Sequence, residues 1–454
     1  MEVAKRSYIA SLSLVFTLGF SGICFAAETT QSADTILLEG STLEDFFTSA
    51  LDYSPRLKIA EESMNIGSQR RKAATGQLLP QISAQGSFSD NKQDVNGAIT
   101  DYPGERYSVQ LSQVLFNWQS FAARKRASYL ENQAEAEYYS ELGWLLTEVA
   151  ERYLDVLLAE DTVTSIAAEV EATANQLKQI ERLYSIQSAQ ITDLYDTQAR
   201  LAAIETQQLI AENELELARE ALRSVSGINV GPLYRLDEDV DLPGVDSPMG
   251  DWLELAKETN PQIRSRIYAA RAADKQVDQA KGAFMPSVNL VAQKQISDLG
   301  FDNTSTSRRD TEYIALNLTV PIYAGGRNSA ALSEARSQKT IAQDQLRQMR
   351  LDVLERTRTA YLQLRSAEQQ VASAEKLVEA TNLAHTARQR GFELGAVTSV
   401  DVLNALRDKF QAERELLRMR YDQIRYSLFL RREAGTLSPD DVIEVSSWLT
   451  VEPQ

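Results

Sequence analysis

Val170-Glu171-Ala172-Thr173 returns unchanged as Val378-Glu379-Ala380-Thr381, at an offset of 208 (378 − 170). Tyr153/Tyr361, Glu160/Glu368, Arg182/Arg390, Asp193/Asp401 and Gly227/Gly435 keep that spacing. Nearer the start of each copy the offset is 206, at Pro55/Pro261 (261 − 55) and Pro80/Pro286 (286 − 80). Short insertions between the matched prolines and the later segments explain the drift of two. A repeat is one supersecondary unit used twice, so whatever one half builds the other builds beside it.

Each copy reads as a short helical stretch, a strand pair and two very long helices. In copy one, Thr42 to Leu79 reads helical with an interruption at Ser54-Pro55, and Pro80 ends it by removing an N–H from the ladder. Ile82, Ala84, Gly86 and Phe88 then alternate with Gln81, Ser83, Gln85 and Ser87, the period-two pattern of a strand. A polar loop is expected from about Asp90 to Gly104, followed by Tyr107, Val109 and Leu111 alternating with serines and glutamine. Copy two places Val288, Leu290 and Ala292 on one face. After a polar loop around Asn303 to Arg309, it adds Ile314, Leu316, Leu318 and Val320. The second face of these strands is uncharged and polar. Apolar-out, polar-in strands of about 10–12 residues suit a tilted crossing of a bilayer. A half-buried soluble sheet gives the same alternation, so the strands alone leave both readings open.

From Trp118 to Tyr184 there is no proline and only Gly143 as a breaker, roughly 67 residues and about 100 Å of helix. Leu142, Leu146, Val149, Tyr153 and Val156 step by fours and threes. Leu354, Tyr361, Leu364 and Val371 in the twin, and Leu403, Leu406, Phe410, Leu417 and Ile424 in the return helix, keep heptad-like spacing. This is the pattern of knobs-into-holes packing.

The chain of 454 residues carries 47 Lys+Arg against 64 Asp+Glu, a net charge of −17, which argues against nucleic acid as a partner. Residues 1–26 read as an export signal: Lys5 and Arg6, an apolar stretch from Ile9 to Phe20, and Cys24-Phe25-Ala26 before the cut. Cys24 is the only cysteine and leaves with the signal, or is lipidated in a minority reading. Copy one then spans 27–226, with a hairpin over about 81–116 and long helices over about 118–226. A proline-rich, acidic linker covers 227–250. Copy two spans 251–434, with a hairpin over about 287–323 and long helices over about 326–434, and 435–454 is a tail.

Taken together, the chain resembles the TolC-type outer-membrane efflux protein family. The resemblance is carried by the repeat, by Val320-Pro321-Ile322-Tyr323-Ala324-Gly325-Gly326 with its diverged twin Val114-Leu115-Phe116-Asn117-Trp118, and by the hairpin segment from Gly391 to Leu403. It covers nearly all of the chain after the signal. It implies a fold that is mainly α with a membrane β-barrel portion. Three chains would share a 12-stranded barrel continued by an α-helical periplasmic tunnel, with linker and tail in an equatorial belt. The implied partners are the homotrimer, outer-membrane lipid, a periplasmic adaptor and an inner-membrane pump, serving type I protein secretion or small-molecule efflux. No catalysis or cofactor is implied, and no nucleophile triad, phosphate loop or metal cluster is legible. A non-conducting periplasmic coiled-coil scaffold or surface fibre is the alternative.

The helix–helix turns near 185–192 and 393–400 would form the periplasmic tip. Asp193 and Asp401 follow them at equivalent places, and threefold assembly would turn each into a charge ring that favours cations. As first-turn acids they also suit a capping role alone. By resemblance, Asp401 matches an aspartate of the entrance constriction, and Asn404 stands where some members carry a second. Thr192, Asp193 and Phe392 match positions of links that hold the entrance shut, while Val397 replaces an arginine. The adaptor-docking tip would comprise Gly391, Gly395, Ala396, Val397 and Thr398, with Gly395 supplying a positive φ. Copy one has Gln187-Ser188-Ala189 there instead. Phe116 and Tyr323 sit at matched strand ends, where aromatic girdles occur. His385, the only histidine, reads as a solvated surface residue.

Overall fold

A computed structural model describes residues 42–237, 240, 242–299 and 303–451. The export-signal reading and Cys24 lie outside the described residues. Copy one contributes helices α1 (Leu43–Tyr53) and α2 (Pro55–Gly76), strands β1 (Gln81–Val95) and β2 (Ala98–Phe116), and helices α3 (Trp118–Ser185) and α4 (Ile191–Ser226). After β3 (Arg235–Leu236) come α5 (Met249–Thr259), α6 (Pro261–Gly282), β4 (Ser287–Leu299), β5 (Ser305–Thr319), α7 (Arg327–Glu393) and α8 (Ser399–Ala434). The tail forms α9 (Pro439–Ser447) and β6 (Leu449–Val451).

Local chemistry sets these boundaries. Ser54 caps α2 by accepting from Leu57 N, and Pro55 occupies the first helical position, where no intrahelical donor is lost. Asn260 and Pro261 do the same for α6. Asn117 caps the 68-residue α3. The long helices α3 and α7 span Trp118–Ser185 and Arg327–Glu393; of their heptad residues Leu146, Val149, Tyr153, Val156, Tyr361, Leu364 and Val371 are buried, Leu142 is half-buried, and Leu354 yields the inward place to Val353.

The strands correct the expected loops. β1 and β2 run 15 and 19 residues, pair continuously from Gln81↔Ser112 to Val95↔Ala98, and turn at Asn96-Gly97 alone. Both turn residues have positive φ, 55° and 86°, as the tightest hairpin requires. Asp90 to Gly104 is therefore ladder, not loop. Ladder hydrogen bonding satisfies polar residues there as well as it does apolar ones. β5 likewise starts at Ser305, inside the loop expected around Asn303 to Arg309. The strands exceed the expected 10–12 residues, and they stand farther out than the apolar positions reach.

Antiparallel order is β1-β2-β4-β5 in one four-stranded sheet, so β1 and β5 are its open edges. The register aligns Ile82, Leu111, Ala292 and Ile314 in one row on one face. The main hydrophobic core lies far from the sheet. Phe46 of α1, Tyr153, Leu154 and Leu157 of α3, Leu222 of α4, Tyr421 and Ile424 of α8, and Val442 and Val445 of α9 meet there with Leu233 and Leu236 of the linker. β3 of the linker pairs with β6 of the tail. Burial pushes the Asp161 carboxyl up at this core, although the Tyr421 hydroxyl donates to it at 2.6 Å.

Candidate functional site: an exposed apolar sheet and a helical tip

Two surfaces at opposite ends of the long helices carry the functional information. The first is the sheet. Ile82, Phe88, Val109, Ile314, Leu316 and Leu318 are exposed large hydrophobics that share one face, while Val291 and Ser297 on the polar face are buried. Soluble monomers rarely leave such a contiguous apolar face in water, and one marks a protein or membrane contact. Its outward edge is marked by Lys294, which pairs with Glu312 across the β4–β5 ladder. Phe88 and Tyr107 stack edge to face near that edge. At the other end of the strands Phe116 lies against Phe121, while Tyr323 is exposed. Among the described residues no helix is long and apolar enough to cross a membrane, which says nothing of strands.

The second surface is the tip. In both copies the first long helix closes with the same bonds, and the second opens with a reciprocal cap. Gln187 N donates to Tyr184 O at 2.9 Å and Ser188 N to Leu183 O at 2.7 Å. In copy two, Gly395 N donates to Phe392 O at 3.0 Å and Ala396 N to Gly391 O at 2.8 Å. Gly395 has φ 74°, and its counterpart Gln187 takes φ 64°. Copy one therefore keeps the turn without the glycine that would make it cheap. Gly391 leaves no space for a Cβ, which would collide with the Val397 side chain.

Asp193 Oδ2 accepts from Gln190 N at 3.2 Å, and Asp401 Oδ2 accepts from Thr398 N at 3.2 Å and from Thr398 Oγ1 at 2.6 Å. Both acids thus cap their helices. They then differ. Asp193 is half-buried and its Oδ1 accepts from Ser399 Oγ of the other copy at 2.8 Å. Asp401 is exposed, and the Thr398 bonds hold its carboxyl below the usual carboxylate range. Thr192 and Asn404 are exposed and Phe392 is half-buried. The structure brings Asp193 and copy two's Ser399 together, while the bonds of Asp401 stay within its own copy. His385 departs from expectation: it is half-buried, and burial and the Lys409 charge lower its pKa.

A further link between the copies had not been read from the sequence. Glu169 of α3 is 1% exposed, and it accepts from Arg200 of α4 and Arg414 of α8 at 2.9 Å each. Its counterpart at the 208 offset is Leu377, so the departure of a charge from the repeat was the available signal.

The chain is a long helical shaft with an exposed apolar sheet face at one end and, at the other, a tip of two capped helix–helix turns that exposes Ile186 and Leu394. The chain belongs to the outer membrane efflux protein family, which matches residues 47–228 and again 252–436. It is an outer-membrane protein of a channel class, not an enzyme. Outer membrane protein TolC of Vibrio cholerae is 28% identical over 421 residues, covering 90% of this chain and 94% of that one. Alkaline protease secretion protein AprF of Pseudomonas aeruginosa is 25% identical over 88% of this chain and 85% of its own. Among solved structures, the Campylobacter jejuni CmeC outer membrane channel superposes with a TM-score of 0.75 at 17% identity, covering 90% of this chain and 89% of that one.

Proposed function

We propose that three copies pool their sheets into one twelve-stranded barrel in the outer membrane, continued by a helical tunnel across the periplasm. The carrying observation is a four-stranded sheet with two open edges and an exposed apolar face. Open edges cannot sit in lipid, and the smallest closed barrels have eight strands. Two copies would give eight, a bore filled by its own side chains, whereas three give a passage. Closed symmetry then repeats every tip residue three times around one axis.

The conduit is passive. Asp401, exposed and held in its charged form, forms the entrance ring, with Asn404 one helical turn further along. Thr192, Asp193 and Phe392 belong to the contacts that keep the entrance narrow. Gly391, Gly395, Ala396, Val397 and Thr398 form the compact turn offered to a periplasmic adaptor, through which an inner-membrane pump delivers cargo. The related proteins carry names for both protease secretion and efflux, so the cargo follows from the pump. The test is detergent purification followed by planar-bilayer recording. Heat-sensitive oligomers of three chains with cation-favouring conductance are expected. A monomer that is stable without detergent and conducts nothing overturns the reading.

A further inference from the structure

A cavity of about 220 Å³ lies where the kink between α5 and α6 meets the middle of α3 and the end of α8. All of its walls come from one chain, so it does not depend on how many copies assemble. Two small residues keep it open, and the repeat shows what could have filled it. Gly143 lies inside α3, where glycine is unfavourable relative to alanine. Neither the backbone nor crowding asks for it. Gly143 is not among the glycines with positive φ, and a Cβ there would meet Arg432 Cγ at an ordinary 3.8 Å. Its counterpart at the 208 offset is Leu351. Thr259, also in the wall, stands where copy one has Tyr53 at the 206 offset (259 − 53). The Tyr53 ring lies over Gly227, the counterpart of Gly435 in the cavity wall. Copy one fills this junction with a ring, and copy two leaves room for one.

The lining is apolar on one side and cationic on the other. Leu142, Leu146 and the Trp144 indole supply the apolar part. The Arg432 guanidinium lies 3.8 Å from the centre of the Trp144 ring, donating to Thr147 Oγ1 at 3.0 Å and to Glu433 Oε1 at 2.8 Å. Glu433 is buried and also stands 2.9 Å from Arg356 Nε, so one carboxylate already answers two guanidinium groups. Arg264 brings a third to the wall and makes no ion pair among the described residues. The acids on the same stretch of α3 are engaged elsewhere, Glu137 by Ser265 and Glu141 by Arg56. Gln262 accepts from Arg356 Nη2 through its amide oxygen at 2.5 Å, which leaves its amide nitrogen to donate. Inside a chain of net charge −17, this corner carries an excess of positive charge.

We propose that this cavity binds a small aromatic carboxylate. Its ring packs against Leu142, Leu146 and Trp144, in the room that corresponds to the Tyr53 ring of copy one. Its carboxylate accepts from Arg264 and Gln262. A guanidinium offers a carboxylate two parallel N–H donors, and such charge-assisted bonds are the strong ones. An apolar cavity of about 150 Å³ is enough for benzene, so this one has space for a ring and its carboxylate. Small-molecule sites combine an apolar lining with a few placed polar groups, as this one does. A neutral or cationic ring of the same size leaves Arg264 unanswered.

The test uses the full-length chain in detergent, benzoate as the probe and isothermal titration calorimetry. Saturable binding of one benzoate per chain is expected. Arg264 is exposed, so Arg264→Gln leaves the fold intact and is expected to weaken binding at least tenfold. Benzyl alcohol, a ring without the charge, is expected to bind at least tenfold more weakly than benzoate. Gly143→Leu gives the cavity the residue of the other copy and is expected to abolish binding while the far-ultraviolet helix signal stays. If that variant fails to fold, Arg264→Gln and benzyl alcohol decide. No saturable benzoate binding to the wild type overturns the proposal, as does a folded Gly143→Leu chain that binds like wild type. Benzyl alcohol binding as tightly as benzoate, or Arg264→Gln binding as tightly as wild type, overturns the assignment of a carboxylate.

Discussion

Replacing Glu169 by Gln keeps the shape of a buried side chain and removes the charge that two guanidinium groups answer. Hydrogen bonds to a charged group contribute about 1.5–3 kcal/mol each, and breaking a buried ion pair costs about 3–5 kcal/mol. Glu169 is buried, but Arg200 and Arg414 are each about a quarter exposed and regain water when released, which lowers the figure. A cost of about 2–3 kcal/mol follows, felt where α3, α4 and α8 meet rather than at the main core around Tyr153 and Tyr421. At about 1.4 kcal/mol per decade, amide exchange in the lower parts of α3 and α4 should quicken roughly 30- to 150-fold. Exchange around Tyr153 and Tyr421 should hold. The link ties the copy-one hairpin to the return helix of copy two, so open dwell times in bilayer recordings should lengthen as well. Unchanged exchange over 160–215 together with unchanged dwell times would refute the claim that this triad joins the hairpins.

Gln187→Gly relieves a left-handed residue, worth about 1–2 kcal/mol, against about 0.4–1 kcal/mol of added unfolded-state entropy. Slower protease cleavage at the copy-one turn is expected, with faster cleavage disproving the strain. Asp401→Ala should reduce cation preference in single-channel recordings; selectivity equal to wild type removes Asp401 from the constriction. The lowered Asp401 pKa means its cap is fully present above the ordinary aspartate value and is lost as pH falls through the lower folded value, so tip protection measured by amide exchange should fade only in acid. Ile314→Arg on the apolar face should cost about 2–4 kcal/mol in the bilayer and deplete assembled oligomer, whereas Asn317→Arg on the polar face should be tolerated. Equal assembly of the two would show that the faces are assigned the wrong way round.

The sequence by itself determined the twofold plan, the lengths of α3 and α7, and the faces of the strands. These follow from local rules: proline and capping residues end helices, and side-chain periodicity names the buried side whatever packs there. It misjudged Asp90 to Gly104 because a polar segment satisfies a ladder as well as a loop, and only pairing with a neighbour tells them apart. Tertiary structure alone decided that Asp193 meets Ser399, that Glu169 gathers Arg200 and Arg414, and that linker and tail pair as β3 and β6. Those partners lie between 31 and 245 residues apart for the tip and clamp contacts, and no periodicity within a segment encodes a contact across such a span. Gly76 and Gly282 state the same division: they match in sequence at the 206 offset, but only the fold reveals that Gly282 is covered and Gly76 is bare, because occupied space is a property of packing and not of spelling.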